Sequence, residues 1–567
     1  MAAGTAAEEP GSMLSYAHGA SSAPLIGETI GAHFDRIAAA CGDRDAVVSL
    51  PQRVRLTYAE LKEATDLFAR GLLALGVEHG DRVGIWSTNN VEWVVTQFAT
   101  AKIGAILVNV NPAYRTAELG YALEQSGVSV LVSEIRYKSS EYVEMLREVR
   151  PSLPQLRDVV LIGEEELVAP LEGALRWRDT LELAAPSVHP GRLAGRLAQT
   201  QFDEPINIQY TSGTTGFPKG ATLSHHNILN NGFYIGEACR YTKSDRVCIP
   251  VPFYHCFGMV LGNLACVTHG AAMVIPAATF DARATLAAVS SERCTSLYGV
   301  PTMFIAELAL PEFSEFDLQT LRTGIMAGAP CPVEVMRRVQ SEMHMPEVTI
   351  CYGMTETSPV STQTAVDDPV DKRTATVGRV HPHLEIKIVD AEGRIVPRGT
   401  SGELCTRGYS VMLGYWNADA ATAQVIDAAR FMHTGDSAAM DDDGYVAITG
   451  RIKDLVIRGG ENISPREIEE FLYLHPAIRD IAVVGVPDEK YGEELCAWIV
   501  PKDATTVDAA SVRAFCEGRI AHYKIPRYVI VVDAFPLTVT GKIQKYKMRE
   551  ESIVRLGLAN AQRSTPA

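Results

Sequence analysis

The stretch VEWVVTQFATAKIGAILVNVNP, residues 91–112, decides the fold class, because it joins a helix to a buried strand through one glycine. The first half has a helical pattern, Gly104 ends it, and AILVNV is typical of a strand covered on both faces. The same alternation occurs at 56–86, where Thr57 and Glu60 form a capping box and the strand RVGIW follows. The alternation recurs around Gly270 and again in the segment from Phe280 to Gly299. Helices that alternate with short apolar strands predict parallel α/β sheets.

The pattern changes from about residue 376. Segments such as EIKIVD, GELCTRG and YVAITGR are short, with turn signals between them, and predict antiparallel hairpins. A small α/β unit then closes the chain, opened by a capping box at Ser464–Glu467 with Pro465 at the first helical position. We predict an α/β fold in which a large N-terminal domain contains two parallel-type α/β subdomains and a small β-barrel-like part, followed by a small α+β C-terminal domain.

The predicted organisation divides the chain into four parts. They are a flexible N-terminal arm at 1–28, a large domain at 29–450, a hinge at 451–454 and a small C-terminal domain at 455–567. The arm is rich in Ala, Gly, Ser and Pro. A chain of 567 residues is too long for one hydrophobic core, which agrees with several domains.

Composition excludes several functional classes. Lys and Arg number 52 and Asp and Glu 68, a net charge of −16, which argues against nucleic-acid binding. The eleven cysteines include no CxxC pair, and the first Lys or Arg is Arg36, so we expect a cytoplasmic protein without a signal peptide. Glycines and polar residues interrupt the uncharged stretch 256–280, so we predict no transmembrane segment there. We expect instead a buried helix ending at Gly270, followed by a strand.

A loop rich in glycine and hydroxyl residues is the strongest chemical signal. Its sequence is YTSGTTGFPKG, residues 210–220. Glycines allow close backbone approach to an anion, hydroxyls donate hydrogen bonds, and Lys219 adds a positive charge, which together suit a polyphosphate. The spacing is not that of a Walker A loop. Composition alone leaves an ordinary turn as the alternative.

Four further segments carry candidate groups. They are YGMTE at 352–356, HTGD at 433–436, GRIKD at 450–454 with a glycine pair at 459–460, and PLTVTGK at 536–542. An acid such as Asp436 can accept both hydroxyls of a ribose. Taken one at a time, Asp436, Lys453 and Lys542 are better explained as solvated charges or satisfied polar groups than as functional residues.

The order and spacing of these motifs resemble the adenylate-forming superfamily, which includes acyl-CoA synthetases, luciferases and the adenylation domains of peptide synthetases. The resemblance rests on TSGTTGFPKG, PFYHCFG, YGMTE, HTGD, GRIKDLVIRGGENISPREIE and PLTVTGK, and it runs from about residue 30 to 550. The segments GRIKDLVIRGGENISPREIE and YGMTETSP are most similar to medium- and long-chain fatty-acid–CoA ligases.

The resemblance implies a two-step reaction: a carboxylate and ATP form an acyl-AMP and pyrophosphate, and the acyl group then passes to CoA with release of AMP. Both reactants of the first step are anions, so charge must be neutralised and the carboxylate positioned. The implied catalytic residues are Lys542, Thr355 and Glu356, with Glu356 also binding Mg²⁺. The implied ATP/AMP-binding residues are Thr211, Ser212, Gly213, Thr214, Thr215, Gly216, Lys219, Gly328, Ala329, Pro330, Tyr352, Asp436 and Arg451.

The resemblance also implies that the small C-terminal domain rotates between the two steps. Lys453 would be the hinge, and Gly459 and Gly460 would line the channel for CoA. Phe253, His255 and Gly353 would form the acyl pocket. Acetate-specific relatives carry a bulky aromatic residue where this chain has Gly353, so the sequence predicts a substrate longer than butyrate. We reject a nucleophile made of Cys256 and its neighbour His255, because adjacent side chains of an extended segment point in opposite directions.

The predicted function is therefore that of an ATP- and Mg²⁺-dependent fatty-acid–CoA ligase with fatty acid, ATP and CoA as its partners. The alternative is a fatty-acyl–AMP ligase that loads a carrier protein, although the usual insertion after the hinge is absent between Asp454 and Ser464. A catalytically inactive nucleotide-binding protein is a third class, and the presence of Glu356 and Lys542 argues against it. The sequence leaves a homodimer open as the oligomeric state.

Overall fold

The computed structural model describes residues 13–163, 171–187, 190–211, 218–458, 461–488, 490–502, 506–537 and 543–558. The chain packs as two compact units. The larger unit comprises Ala17–Ile386 and Thr406–Met432, and the smaller one comprises Lys387–Cys405, the residues from His433 onward and the chain up to Tyr16. Among the described residues, no helix combines the length and the hydropathy needed to cross a bilayer.

An eight-stranded sheet occupies one half of the larger unit. In spatial order its strands are Leu175–Arg176, Asp158–Ile162, Val128–Glu134, Arg82–Trp86, Ile106–Asn109, Pro205–Thr211, Lys219–Ser224 and Gly414–Tyr415. The pairs are parallel as far as Pro205–Thr211, and the last two pairs are antiparallel. The parallel part confirms the prediction made from residues 56–112.

A nine-stranded sheet occupies the other half of the larger unit. Its order is Arg379–Val380, Val360–Gln363, Glu347–Gly353, Thr323–Ala327, Ser296–Gly299, Arg246–Cys248, Ala272–Ile275, Asp45–Ser49 and Val54–Thr57. The central pairs are parallel and the edge pairs antiparallel. Two parallel-type subdomains were predicted, and the structure contains both.

Helices cover the faces of these sheets. The α-helices of the larger unit are Ile30–Ala40, Tyr58–Ala74, Val91–Ile103, Thr116–Ser126, Tyr142–Val149, Trp177–Ser187, Pro190–Gln199, His225–Ala238, Ala265–His269, Ala282–Glu292, Pro301–Leu308, Val333–Glu342, Val370–Ala375 and Asp419–Ala423. One core cluster contains inward-facing residues of both sheets, and separate clusters cover their outer faces. Burial on both faces is why these strands are continuous apolar runs.

The local signals in the sequence act at the helix ends as predicted. Thr57 and Glu60 form the reciprocal capping box of Tyr58–Ala74. Gly104 and Gly270 end their helices with φ of 69° and 67°, the left-handed region where glycine has no Cβ penalty. The stretch before Gly270 is a buried helix, as predicted, but residues Phe257–Leu264 form a π-helical segment. No pattern in the sequence indicated that local widening.

A five-stranded sheet follows the order Tyr16–His18, Leu384–Val389, Gly402–Gly408, Met432–Met440 and Val446–Arg451. The last two strands form the antiparallel hairpin expected from the change of pattern after residue 376. The predicted flexible arm is structured in part, because Tyr16–His18 is a strand. Gly19 N–H donates to the Leu384 carbonyl at 2.8 Å, and His383 N–H donates back to Gly19 at 2.8 Å. Backbone pairing of this kind needs no apolar pattern, so composition did not indicate it.

The smaller unit contains a second sheet, made of Glu461–Ile463, Val456–Arg458, Gly492–Pro501, Ile478–Asp488 and Tyr528–Val531. Its α-helices are Pro465–Leu472, Ala509–Cys516 and Lys545–Arg555. The capping box predicted at Ser464 is wrong, since the Ser464 hydroxyl makes no cap and donates instead to the Thr449 carbonyl at 2.5 Å. A cap would have the Ser464 oxygen accept from a backbone N–H of its own helix, whereas the hydroxyl is turned towards a distant carbonyl.

Glu307 is an unusual core residue. It is 1% exposed, and neither carboxyl oxygen has a hydrogen-bond partner among the described residues. Burial raises its pKa well above the usual 4.5, so the folded protein keeps the carboxyl protonated. We expect Glu307→Met to stabilise the protein by about 1–3 kcal/mol at neutral pH, because an apolar chain of similar size removes a buried, unsatisfied polar group. Thermal unfolding measures this change.

The pH dependence gives an independent check on Glu307. The folded state holds the proton to higher pH than the unfolded state, so this residue lowers stability progressively as pH rises above about 4.5 towards its folded pKa. The stability gap between Glu307→Met and wild type should therefore widen between pH 5 and pH 8. Glu307→Gln, which still buries a polar amide, is the matched control and should gain less. A lower melting temperature for Glu307→Met would contradict this account.

Candidate active site

Glu356 lies at the centre of a buried polar cluster in the larger unit. It is 5% exposed and lies on the short 3₁₀ helix Thr355–Thr357, which follows the strand Glu347–Gly353. Its Oε1 accepts hydrogen bonds from the Thr211 hydroxyl at 3.1 Å and from the Tyr415 hydroxyl at 2.9 Å. The two hydroxyl donors satisfy this buried carboxyl oxygen, which would otherwise be costly to remove from water.

Strand pairing explains how residues far apart in sequence meet at Glu356. Thr211 pairs with Lys219 across an antiparallel pair, so the predicted phosphate loop is the connection of a β-hairpin. Ala221 of the second strand pairs with Tyr415 of the next one. The Lys219 ammonium lies 5.1 Å from the centre of the Tyr415 ring, a cation–π contact. Thr211 therefore contacts Glu356 directly, and Lys219 lies against the tyrosine that does the same.

Tyr415 is a residue that the sequence did not single out. Burial, and then the neighbouring Glu356 carboxylate, raise the pKa of Tyr415 well above its usual range. The phenol therefore stays protonated and serves as a donor to the carboxylate. Nothing in the local pattern GYWN marks this role, because the contact depends on the register of Gly414–Tyr415 in the sheet.

Thr355 is buried next to a thiol. Its hydroxyl lies 3.8 Å from the Cys256 sulfur, and that sulfur lies 3.6 Å from His255 Nδ1. The reason given for rejecting a Cys256–His255 pair was wrong, because the segment turns into a helix rather than being extended. His255 Nδ1 accepts from Phe257 N–H at 3.1 Å, so this ring nitrogen caps the start of that helix. The described contacts give the pair a structural role.

The predicted adenine-binding residues lie at the carboxyl ends of adjacent parallel strands. The register Ala327↔Cys351 brings Gly328 next to Tyr352. Gly328 has φ of 90°, which favours glycine, and residues 328–330 are exposed while Tyr352 is half-buried. Carboxyl ends of parallel strands are where α/β proteins bind ligands. The structure thus brings these predicted residues together.

The predicted acyl-pocket residues have identifiable structural roles. Phe253 is fully buried and packs against Trp93, with ring centres 5.6 Å apart. A Cβ atom on Gly353 would lie 1.7 Å from the Pro359 carbonyl oxygen, so the backbone itself requires glycine there. This requirement explains Gly353 without reference to an acyl chain, which weakens the argument from its size. His255 is half-buried.

The smaller unit contains a second predicted pair. Asp436 and Arg451 are opposite residues of an antiparallel pair, and Arg451 Nε donates to Asp436 Oδ1 at 3.1 Å. Asp436 is 7% exposed, whereas the Arg451 side chain is 60% exposed. Gly435, with φ of 72°, turns the chain just before Asp436. The sequence predicted both residues, and the register explains why they are neighbours.

The remaining predicted residues divide into two groups. Lys453 is exposed on the 3₁₀ turn Ile452–Asp454. The others lie outside the described residues: Ser212, Gly213, Thr214, Thr215, Gly216, Gly459, Gly460 and Lys542.

A polar surface cavity of about 300 Å³ lies elsewhere on the larger unit, between residues 43–45 and 243–246. Two of its acidic residues are paired with arginines: Arg246 contacts Asp45 at 2.8 Å, and Arg322 contacts Asp245 at 2.9 Å. It contains none of the predicted site residues, and its paired charges favour no particular ligand.

Family models match most of the chain. A model described as "AMP-binding enzyme" matches residues 34–416, and one described as "AMP-binding enzyme C-terminal domain" matches residues 467–542. The two matches leave out the stretch that contains Asp436 and Arg451, so that pair rests on the motifs and the register alone.

Curated relatives and a solved structure agree with these models over almost the whole chain. The putative acyl-CoA synthetase YngI of Bacillus subtilis is 50% identical over 95% of this chain and 100% of its own length. The mitochondrial medium-chain acyl-CoA ligase ACSF2 of Danio rerio is 44% identical over 96% of this chain and 91% of its own. The crystal structure of the anthranilate CoA ligase AuaEII in complex with anthranoyl-AMP superposes with a TM-score of 0.83 at 27% identity. The match covers 94% of this chain and 99% of that chain.

Proposed function

Because this chain belongs to the AMP-binding enzyme family, we propose that it is an ATP-dependent fatty-acid–CoA ligase for medium- to long-chain acids. It is an AMP-forming acyl-CoA synthetase. The relatives at 50% and 44% identity are named as an acyl-CoA synthetase and an acyl-CoA ligase. Carboxylate and ATP give acyl-AMP and pyrophosphate, and CoA then displaces AMP. The observation that supports this most is Glu356, buried and held by Thr211 and Tyr415 at the base of the phosphate loop.

The first step joins two anions, so positive charge and hydrogen-bond donors must be in place before reaction. Residues 211–216 and Lys219 are proposed to hold the β- and γ-phosphates, and Thr355 to reach the α-phosphate. Gly328, Ala329, Pro330 and Tyr352 are proposed to bind adenine, and Asp436, with Arg451 beside it, to accept the ribose hydroxyls. Lys542 is proposed to bridge the carboxylate and the α-phosphate.

Glu356 fits a Mg²⁺ ligand, because Mg²⁺ takes one or two protein carboxylates together with phosphate oxygens. The ion supplies charge neutralisation for the phosphates when bound. Thr211 and Tyr415 orient the carboxylate, and the raised pKa of Tyr415 keeps its hydroxyl a donor throughout. The protein thus fixes a negative oxygen close to both ends of the phosphate loop.

In the second step the thiol of CoA must reach the acyl group, in the part of the site that Lys542 is proposed to occupy during the first step. Rotation of the C-terminal domain about Lys453 is proposed to withdraw Lys542 and bring in Gly459 and Gly460, which let the thin pantetheine chain pass close to the backbone. The thiolate of CoA attacks the acyl carbonyl carbon, the bond to AMP breaks, and AMP leaves with the electron pair. No enzyme nucleophile is needed.

The substrate class is tested by a panel of unbranched acids. We expect kcat/KM to rise from acetate to decanoate, by about fourfold per added CH₂ until the pocket is full, because each buried CH₂ contributes about 0.8 kcal/mol. AMP formation at saturating ATP and CoA measures this. Values that fall from acetate to decanoate would overturn the chain-length proposal and leave the ligase activity standing.

The acyl acceptor is tested in the same assay with CoA against a phosphopantetheinylated carrier protein. We expect turnover with CoA. Turnover only with the carrier would favour the fatty-acyl–AMP ligase alternative. If no acid in the panel leads to pyrophosphate release, both the CoA ligase and the fatty-acyl–AMP ligase proposals are contradicted. We further propose a cytoplasmic location and leave the homodimer as an expectation for solution measurements.

A further inference from the structure

Three metal-ligating side chains lie together in the smaller unit, outside the residues that the proposed reaction uses. Glu403 and Cys405 are two residues apart on the strand Gly402–Gly408, so both point to the same face. His433 lies on the neighbouring strand Met432–Met440. One ligand atom from each lies within 4.8 Å of the other two.

We propose that Glu403, Cys405 and His433 bind one transition-metal ion of the zinc class. A tetrahedral ion with a metal–sulfur distance of about 2.3 Å and a metal–nitrogen distance of about 2.0 Å separates these two ligand atoms by about 3.5 Å. The Cys405 sulfur lies 3.5 Å from His433 Nδ1, so thiol and imidazole already have the required spacing.

The carboxylate needs only a small adjustment. Glu403 Oε2 lies 2.8 Å from His433 Nδ1, which is a hydrogen-bond distance, whereas two ligands of one tetrahedral ion lie about 3.3 Å apart. The ion takes the place of the proton between these two atoms, and that proton moves to His433 Nε2, so the imidazole stays neutral. Glu403 Oε1 accepts from Gly435 N–H at 3.1 Å, and this contact outside the ligand set orients the carboxylate.

The donor set selects the metal. Thiolate and imidazole favour zinc and cobalt over magnesium and calcium, which prefer oxygen ligands. The His433 and Glu403 side chains are 31% and 23% exposed, which lets an ion enter and leaves the fourth position to water. Binding breaks the S–H bond of Cys405, and the thiol proton passes to solvent as the metal–sulfur bond forms.

The site has a structural consequence for its neighbourhood. His433 and Asp436 lie on one strand, and the Gly435 amide between them bonds to Glu403. A bound ion would fix the turn that precedes Asp436. This effect on nucleotide binding rests on the proposed function, whereas metal binding itself does not.

Equilibrium dialysis of the metal-free full-length protein against Zn²⁺ tests the proposal, with Co²⁺ as a spectroscopic probe. We expect one ion per chain, release of about one proton per ion near neutral pH, and a thiolate-to-cobalt charge-transfer band. Cys405→Ser should abolish that band and weaken Zn²⁺ binding at least tenfold, and His433→Gln should weaken it similarly. Cys331→Ser is the control, because it removes a thiol that is not one of the three proposed ligands. Cys331 is half-buried, whereas the other ten of the eleven cysteines are buried, so it is the thiol that solvent reaches most easily.

Unchanged thermal unfolding of the metal-free variants shows that each variant is folded. If Cys405→Ser does not fold, the comparison passes to His433→Gln and Glu403→Gln. Less than 0.1 equivalent of Zn²⁺ on the wild-type protein, or equal binding by wild type and the folded site variants, would overturn the proposal. Neither outcome affects the ligase assay, so the two proposals fail separately.

Discussion

Lys542→Ala is expected to lower the rate of acyl-AMP formation about 10²–10³-fold, the usual loss when one preorganised charge-stabilising donor is removed from a transition state. The same variant should convert supplied acyl-AMP and CoA to the thioester at close to the wild-type rate, because Lys542 is proposed to have left the site by then. Pyrophosphate release measures the first half-reaction, and thioester formation from synthetic acyl-AMP measures the second.

Lys547→Ala is the matched control for Lys542. Lys547 is exposed on the helix Lys545–Arg555, so its replacement removes the same charge from the same region without touching the reaction. We expect wild-type rates in both half-reactions. Equal loss in both steps for Lys542→Ala would contradict the two-conformation scheme, and no loss in either would remove Lys542 from the catalytic residues.

Lys102→Met is expected to destabilise the protein by about 3 kcal/mol, at the lower end of the range for breaking a buried ion pair. Lys102 is 1% exposed, and its ammonium contacts both Asp35 and Asp66, which join three helices of the larger unit. Without it, the two carboxylates lose their buried partner and keep the more exposed Lys62. Their exposure, 27% and 24%, lets water screen part of the loss. The urea midpoint of the larger unit measures the change.

Lys62 provides the comparison for Lys102. It contacts the same two carboxylates but is 37% exposed, so Lys62→Met should cost no more than about 1 kcal/mol. Replacing Asp35 and Asp66 by Asn in the Lys102→Met background should recover part of the stability, since it removes the excess negative charge left beside Lys62. Equal midpoints for Lys102→Met and Lys62→Met would refute the assignment of a buried ionic centre.

Features encoded over a few residues could be predicted from the sequence. The capping box at Thr57 and Glu60 and the glycine ends at Gly104 and Gly270 depend on contacts within one turn. The family motifs also placed Asp436 and Arg451 on the list of site residues, and the structure makes them cross-strand neighbours. Short-range rules and ordered motifs therefore account for the fold class and for much of the candidate site.

Features that depend on strand register could not be predicted. Tyr415 reaches Glu356 only because two antiparallel pairings bring distant segments together. The same is true of His433 beside Cys405. The Ser464 hydroxyl had a local N–H to accept from and a distant carbonyl to donate to, and it makes the distant contact. Gly353 is the opposite case, in which a structural requirement was interpreted as a functional one. Its lack of a side chain was attributed to the substrate, whereas the Pro359 carbonyl already excludes a Cβ atom there.

The two hydroxyls on Glu356 imply an order of events. In the proposed role of Glu356, the free enzyme would present Mg²⁺ with a carboxylate oxygen that already accepts two hydrogen bonds, so we expect Mg²⁺ alone to bind weakly. A nucleotide bound to Mg²⁺ would supply phosphate oxygens, which this ion takes together with one or two protein carboxylates. Metal and triphosphate should consequently enter as one preassembled complex, and saturation by either should depend on the concentration of the other.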